Sequence, residues 1–264
     1  MSISATSCHM YRALSVGGVP SNPTTASIFC WAKSTADASA SRALFFADTA
    51  DGASQSAFTL CTTGSDGIGL RIRSGGTEQI NAADTDPGVY WWQAGQRNNW
   101  RAMAGWFDGA ASAADAGAFW GTTAKTATKN LTGGGFSGLA DDFYLLRAEN
   151  WLWTSAADSS TANIRIAHVA VWFGYKLTSS DMTSLVAGTN PRDIGGGPTF
   201  YWPLATEAGD GLVDDIAGVT LTPLGGSATA TWHDADNPTV SAPSSGGGSS
   251  IAAISSYYRM MRQA

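Results

Sequence analysis

The sequence predicts an all-β protein, a sandwich of two antiparallel sheets with one short helix near 179–187. Three observations lead there. Short runs of β-branched and aromatic residues recur at roughly dozen-residue spacing, punctuated by Asp-Gly and Gly-Ser turn signals. Charged residues make up only 14 % of the 264, while Gly (31), Ser, Thr and Ala are abundant, a composition suited to turns and close-packed pleated surfaces rather than long exposed helices. The apolar fraction is 44 %, with 11 Trp, 10 Phe and 7 Tyr. At ~25 cal/mol per Å² of buried apolar area such a complement can drive one large core, and a β chain of this length can stay undivided.

Taken in order, residues 10–16 and 26–33 read as strands separated by the Gly, Pro and Asn turn cluster 17–23. The runs 42–47, 56–61 and 68–73 follow. The last alternates strictly, with Ile68, Leu70 and Ile72 on one face and Arg71 and Arg73 on the other. Residues 99–109 form a Trp-bearing strand closing in an Asp-Gly turn. The segments between Asn81 and Asn99, between Gly109 and Gly138, and from Glu149 to Ala162 are expected as rim loops, where specificity would reside.

The least ambiguous passage is 163–188. Ile164, Ile166, Val169, Val171, Trp172 and Phe173 have the length and composition of a mid-sheet strand buried on both faces. Thr178 with Asp181 three residues on makes a capping-box start, and Gly188 stands where a helix-terminating glycine belongs. Residues 199–204 return as a strand. From Asn237 the content turns to that of a flexible linker, and 251–264 sets Ile251, Ile254, Tyr258 and Met261 at helical spacing beside Tyr257. The chain thus divides into a sandwich over 1–240, a linker over 241–250 and a docking peptide over 251–264. That peptide either folds on a partner or packs back on its own sandwich, and the isolating glycines favour the partner.

These runs together resemble the laminin-G-like branch of the concanavalin A-like lectin/glucanase superfamily. Ile166, Val169, Val171, Trp172, Leu177 and Thr178 fill the apolar and capping positions of its penultimate strand and helix. Residues 27–33 look like its early strand with a Trp-x-Lys ending, 99–109 like its mid-domain Trp strand, and 201–204 with the run from Asp214 to Thr222 like its tail. Ala167 and His168 stand where the branch carries an Asp-Glu pair. The resemblance spans roughly residues 10–240 and implies a concanavalin A-like jelly roll.

Several function classes fall away. A net charge of −6 with scattered arginines offers nothing to nucleic acid. No apolar run reaches the ~20 residues of a membrane span. Cys8, Cys30 and Cys61 are odd in number and lack metal-ligand spacing, so Cys30 is expected as a small core residue. The N-terminal stretch has no cationic start followed by an apolar core, so synthesis in the cytosol is expected. The glucanase-like enzymes of the superfamily carry a Glu-x-Asp-x-x-Glu strand, which the isolated Glu78, Glu149 and Glu207 cannot supply. Asp141-Asp142 and Asp214-Asp215 are strand neighbours that point apart. His168 is expected as a satisfied core histidine.

Ca²⁺ is the one metal the resemblance raises, with Asp84, Asp86 and Asp108 as candidate ligands. Glycan contacts are expected from Trp92 with Asn98 and Asn99, and from Asn150 with Trp151 and Trp153, because sugars stack on aromatic rings and exchange hydrogen bonds with amides. Tryptophans of a large β core compete with that reading. The low-charge Ser/Thr/Gly/Ala surface, the missing leader and the tethered tail together look like accessory and decoration proteins of tailed bacteriophages. The first expectation is therefore a non-catalytic virion protein, attached to capsid or tail through 251–264, with weak adhesion to cell-surface glycans and room for a homo-oligomer. The alternative is a stand-alone carbohydrate-binding, lectin-like module; a glycoside hydrolase comes third.

Overall fold

Two ten-residue strands, Thr25–Ser34 and Ile164–Phe173, lie antiparallel at the middle of the fold. The computed structural model describes residues 2–5, 11–13, 17–34, 42–48, 57–63, 67–74, 77–83, 98–109, 115–126, 128–129, 142–145, 164–204, 212–223, 230–233 and 236–244. In chain order the strands are β1 (Ser2–Ala5), β2 (Tyr11–Ala13), β3 (Thr25–Ser34), β4 (Arg42–Asp48), β5 (Ala57–Thr63), β6 (Gly67–Ser74), β7 (Thr77–Ala83) and β8 (Arg101–Asp108). There follow β9 (Asp115–Trp120), β10 (Thr123–Thr126), β11 (Thr128–Lys129), β12 (Asp142–Leu145), β13 (Ile164–Phe173), β14 (Phe200–Trp202), β15 (Thr222–Pro223) and β16 (Ala230–His233). The α-helix among the described residues is α1 (Ser179–Val186).

The strands form two antiparallel sheets. One runs β10-β9-β8-β3-β13-β1-β16 with β14 also on β13, and the other runs β11-β7-β6-β5-β4-β12-β2-β15. The described residues form the expected two-sheet sandwich with a short helix near 179–187, and β13 lies inside its sheet.

Alternation along β3 decides how the layers stack. Ala26, Ile28, Cys30 and Ala32 point between the sheets with Met103, Phe107, Ile166 and Val171, against Phe58, Leu60, Leu70 and Ile72 of the second sheet. Gly105 lies where the sheets come closest: a Cβ there would meet Leu70 Cδ1 at 2.6 Å. The intervening residues form a second core on the outer face. There Phe29, Ala104, Ala170, Trp172 and Tyr201 pack under Leu177, Met182 and Leu185 of the helix region and Ile194. Burial on both faces explains why β13 reads as a continuous apolar run instead of an alternating one. Cys30 is the core residue expected, with no exposure, and burial pushes its thiol up.

β13 carries one irregularity. Its register on β3 shifts between Ala167 and Ala170, and His168 takes φ +52°. At that point its partner on the other side changes from β1, paired at Ile166, to β14, paired from Val169. The extra residue of the bulge lets one strand serve both neighbours, and the His168 amide donates to the Pro203 carbonyl at 3.2 Å.

The helix ends form as read from sequence. Asp181 N–H donates to Thr178 Oγ1 at 3.2 Å and Thr178 N–H to Asp181 Oδ2 at 2.8 Å. At the C-terminus Gly188, with φ +94°, donates to Leu185 O and Thr189 to Ser184 O, both at 3.0 Å, the paired bonds of a Schellman motif.

Three expectations need correction. The stretch between Gly109 and Gly138, read as rim loop, contains β9, β10 and β11, and β7 extends to Ala83 in another expected loop. The signal was hidden because β9 meets the core with Ala116, Gly117 and Ala118, small residues that fit where the layers approach and carry little hydrophobic contrast. The terminal strands β1 and β16, paired to each other, were not anticipated at all. Finally, the stretch from 237 onward, a linker by composition, is anchored as far as Ser244. Ser241 N–H donates to Gly188 O at 2.8 Å, Asn190 Nδ2 to Ser241 O at 2.9 Å, and Ser244 Oγ to Asp193 Oδ1 at 2.6 Å. The docking peptide, with Ile251, Ile254, Tyr257, Tyr258 and Met261, lies outside the described residues.

Candidate ligand groove

At one end of the sandwich the loop before β3 stands against the end of β13 and encloses a groove of about 580 Å³. Its sequence explains why the wall is preformed. Gly17 and Gly18, at φ +67° and +72°, turn the chain, while Pro20 and Pro23 each hold φ near −65° and reduce the freedom the loop would lose on binding. Gly109 N–H donates to Thr24 O and Gly174 N–H to Thr25 O, each at 2.7 Å, tying the loop to the ends of β8 and β13. Val19 and Phe173 pack on the core from this end and give the groove an apolar floor.

Asn22, Thr24, Thr25 and Thr199 supply its polar lining. Thr199 Oγ1 accepts from the Phe173 amide at 3.1 Å, which leaves the hydroxyl proton to donate. Thr25 Oγ1 donates to Asp108 Oδ1 at 3.4 Å, which leaves its oxygen to accept. A ligand hydroxyl would find a donor at Thr199, just before β14, and an acceptor at Thr25, the first residue of β3. The groove is open, and polar and apolar surface share its lining about evenly, a setting in which a ligand with both hydroxyls and apolar faces can sit.

Of the sequence-derived candidates, Asn98 and Asn99 lie away from the groove, whereas Asp108 accepts from Thr25 of its lining. Asn98 and Asn99 are exposed and precede β8, whereas Asp108 ends it, so roughly 30 Å of strand lies between them. Trp92, Asn150, Trp151, Trp153, Asp84 and Asp86 lie outside the described residues. Among the described residues no group of three or more His, Cys, Asp or Glu could hold a metal ion. The groove residues were legible only as a turn cluster and a strand end. The one available signal was the eight-residue loop 17–24 with two prolines, longer than a tight connection needs.

Indole rings near the surface are covered by lysines. Lys33 Nζ lies 5.3 Å from the Trp100 ring centre and 2.6 Å from Asp236 Oδ2, while Trp100 Nε1 donates to the Asp236 carbonyl. This corner clasps the segment from Asp236 to Ser244 and leaves one indole face occupied. Lys176 Nζ sits 3.8 Å over the ring of Trp106 on the outer face.

Buried polar groups serve the framework. His168 Nδ1 pairs with Tyr201 Oη at 2.7 Å, and burial lowers the imidazole to a pKa of about 4. Burial, reinforced by the Asp215 carboxylate, pushes the Tyr201 phenol up. Asp214 is 2 % exposed and accepts the amides of Tyr201 and Ala217, so its oxygens are committed to a turn. Asp215 lies 3.9 Å from Arg192.

No protein-family model matches the chain, and no curated protein matches it. Solved structures do resemble it. A protein from Bacteroides ovatus assigned as carbohydrate binding aligns with 92 % of this chain and 61 % of its own length, at 16 % identity and a TM-score of 0.55. The chain therefore spans about three fifths of that protein. The CBM40 of a Ruminococcus gnavus IT-sialidase, solved with α2,3-sialyllactose, aligns with 70 % of this chain and 95 % of its own, at 14 % identity and a TM-score of 0.47. A heptameric SAP-like pentraxin of Limulus polyphemus aligns with 70 % and 81 %, at 9 % identity and 0.46. At 16 % identity the likeness to the Bacteroides ovatus protein is one of fold alone, a jelly-roll sandwich.

Proposed function

We propose that this protein is a non-catalytic carbohydrate-binding module that seats a sugar in the groove between loop 17–24 and Thr199. The observation that carries the reading is the groove itself: a preformed apolar floor of Val19 and Phe173 beneath a paired hydroxyl donor and acceptor. The CH face of a pyranose suits such a floor, and its hydroxyls suit Thr25, Thr199 and Asn22. The jelly-roll likeness to the Bacteroides ovatus protein supports the same reading. Sequence reasoning ranked virion attachment first and glycan binding second; the fold likeness supports the second more. Membership of the laminin-G-like branch is part of this proposal and rests on the residues quoted for it.

Thr199→Val removes the donor at nearly constant volume. On a glycan array that registers the intact protein, the variant is expected to lose about tenfold in affinity, as a hydrogen bond within a small-ligand site warrants. Undiminished binding would move the sugar to another surface, and a blank array for the intact protein would refute the reading.

Virion attachment through 251–264 remains a second proposal, supported by the Ser244–Asp193 anchor, which gives the chain beyond it a fixed departure point.

A further inference from the structure

We infer that the groove discriminates against acidic glycans and accepts neutral ones, an inference that rests on the sugar-binding reading above. Among the described residues that line the groove none carries a charge. Sialic, uronic or sulfated sugars are held by charge-assisted bonds, most effectively by arginine, and only hydroxyls, an amide and apolar carbon are on offer here. Moreover, Thr25 Oγ1 donates to Asp108 Oδ1 at 3.4 Å, so a carboxylate stands one hydrogen bond behind the wall. An anion entering the groove would find no cation in the described lining to hold it. The net charge of −6 adds to the repulsion.

The two Thr hydroxyls turn the same arrangement to advantage for a neutral ligand. Thr25 gives its proton to Asp108, which polarises its oxygen as an acceptor, and Thr199 accepts from the Phe173 amide, which polarises its proton as a donor. Both groups are therefore oriented for a sugar hydroxyl, the group that neutral sugars present most densely.

The test is a glycan array built of matched pairs, each neutral oligosaccharide beside its sialylated or sulfated counterpart, probed with the full chain. At least one neutral member should bind, its acidic partner should bind about tenfold more weakly, and Thr199→Val should weaken the neutral signal about tenfold. Asp108→Asn should shrink the ratio within the pair about threefold, as should high salt, because both weaken the repulsion. Acidic members that bind as well as neutral ones, with the same dependence on Thr199, would overturn the inference while the sugar-binding reading stood. A ratio indifferent to both Asp108→Asn and salt would overturn it as well, and binding to no member would remove inference and reading together.

Discussion

His168 shows how much one residue can be asked to do. It occupies a left-handed backbone position in the middle of a strand, is 9 % exposed, and hydrogen-bonds Tyr201. Its imidazole is neutral when folded, because burial lowers its pKa from 6.5 to about 4. The unfolded chain takes up a proton below about pH 6.5 that the folded chain refuses until about pH 4. Stability conferred by this site is therefore complete above pH 6.5 and is lost as the pH falls towards 4, by about 3 kcal/mol in all. His168→Asn keeps a polar partner for Tyr201 and a residue type that tolerates positive φ. Urea unfolding of both proteins between pH 7.5 and 4 should show the steep acid loss in the parent only; identical pH dependences would refute the assignment. Buried Asp214 and surface Asp215 are both pushed up by desolvation and act with the opposite sign in both proteins, so they cancel in the comparison. The sequence made His168 legible as a core histidine, since it interrupts an apolar strand. Its bulge was not legible, because only the presence of β1 and β14 along one edge of β13 requires it.

At the scale of the element, α1 is the most readable part of the chain. Its cap, its stop signal and its buried Met182 and Leu185 follow local rules that need no knowledge of the rest. What local rules could not reveal is that Gly188 has two duties. Its φ of +94° ends the helix, and a Cβ there would come 2.8 Å from the Thr239 carbonyl, so the bare glycine also admits the segment latched at Asp236 and Ser244. Gly188→Ala should cost about 1–3 kcal/mol through backbone strain, and limited proteolysis should cut near 239 faster than in the parent. A variant melting at the parent temperature with an unchanged digest would show that the segment does not depend on this contact. The opposite case is β9: its small residues carry almost no local signal, and the strand exists because β8 offers a paired edge.

For the whole molecule, the two-layer arrangement separates its ends. Loop 17–24, Gly109 at the end of β8 and the end of β13 gather at one rim, while Asn98, Lys33 and Asp236 gather at the other. The sugar site proposed for the first rim would suit multivalent display, since many copies on one particle multiply binding by ~10²–10⁴. If the chain belongs to such a particle, deleting 251–264 should leave the melting temperature unchanged and abolish incorporation, scored by mass spectrometry of purified particles. Normal incorporation of the deleted form would end the attachment role.

The sequence by itself determined that the chain is a β sandwich, that 164–173 is its interior strand and that one capped helix follows, because composition, periodicity and capping act over a few residues. Tertiary structure alone decided the groove, the bulge at His168 and the anchoring of 236–244. Each depends on residues more than twenty apart in the chain brought together by strand pairing, and no local pattern records which strands will be neighbours.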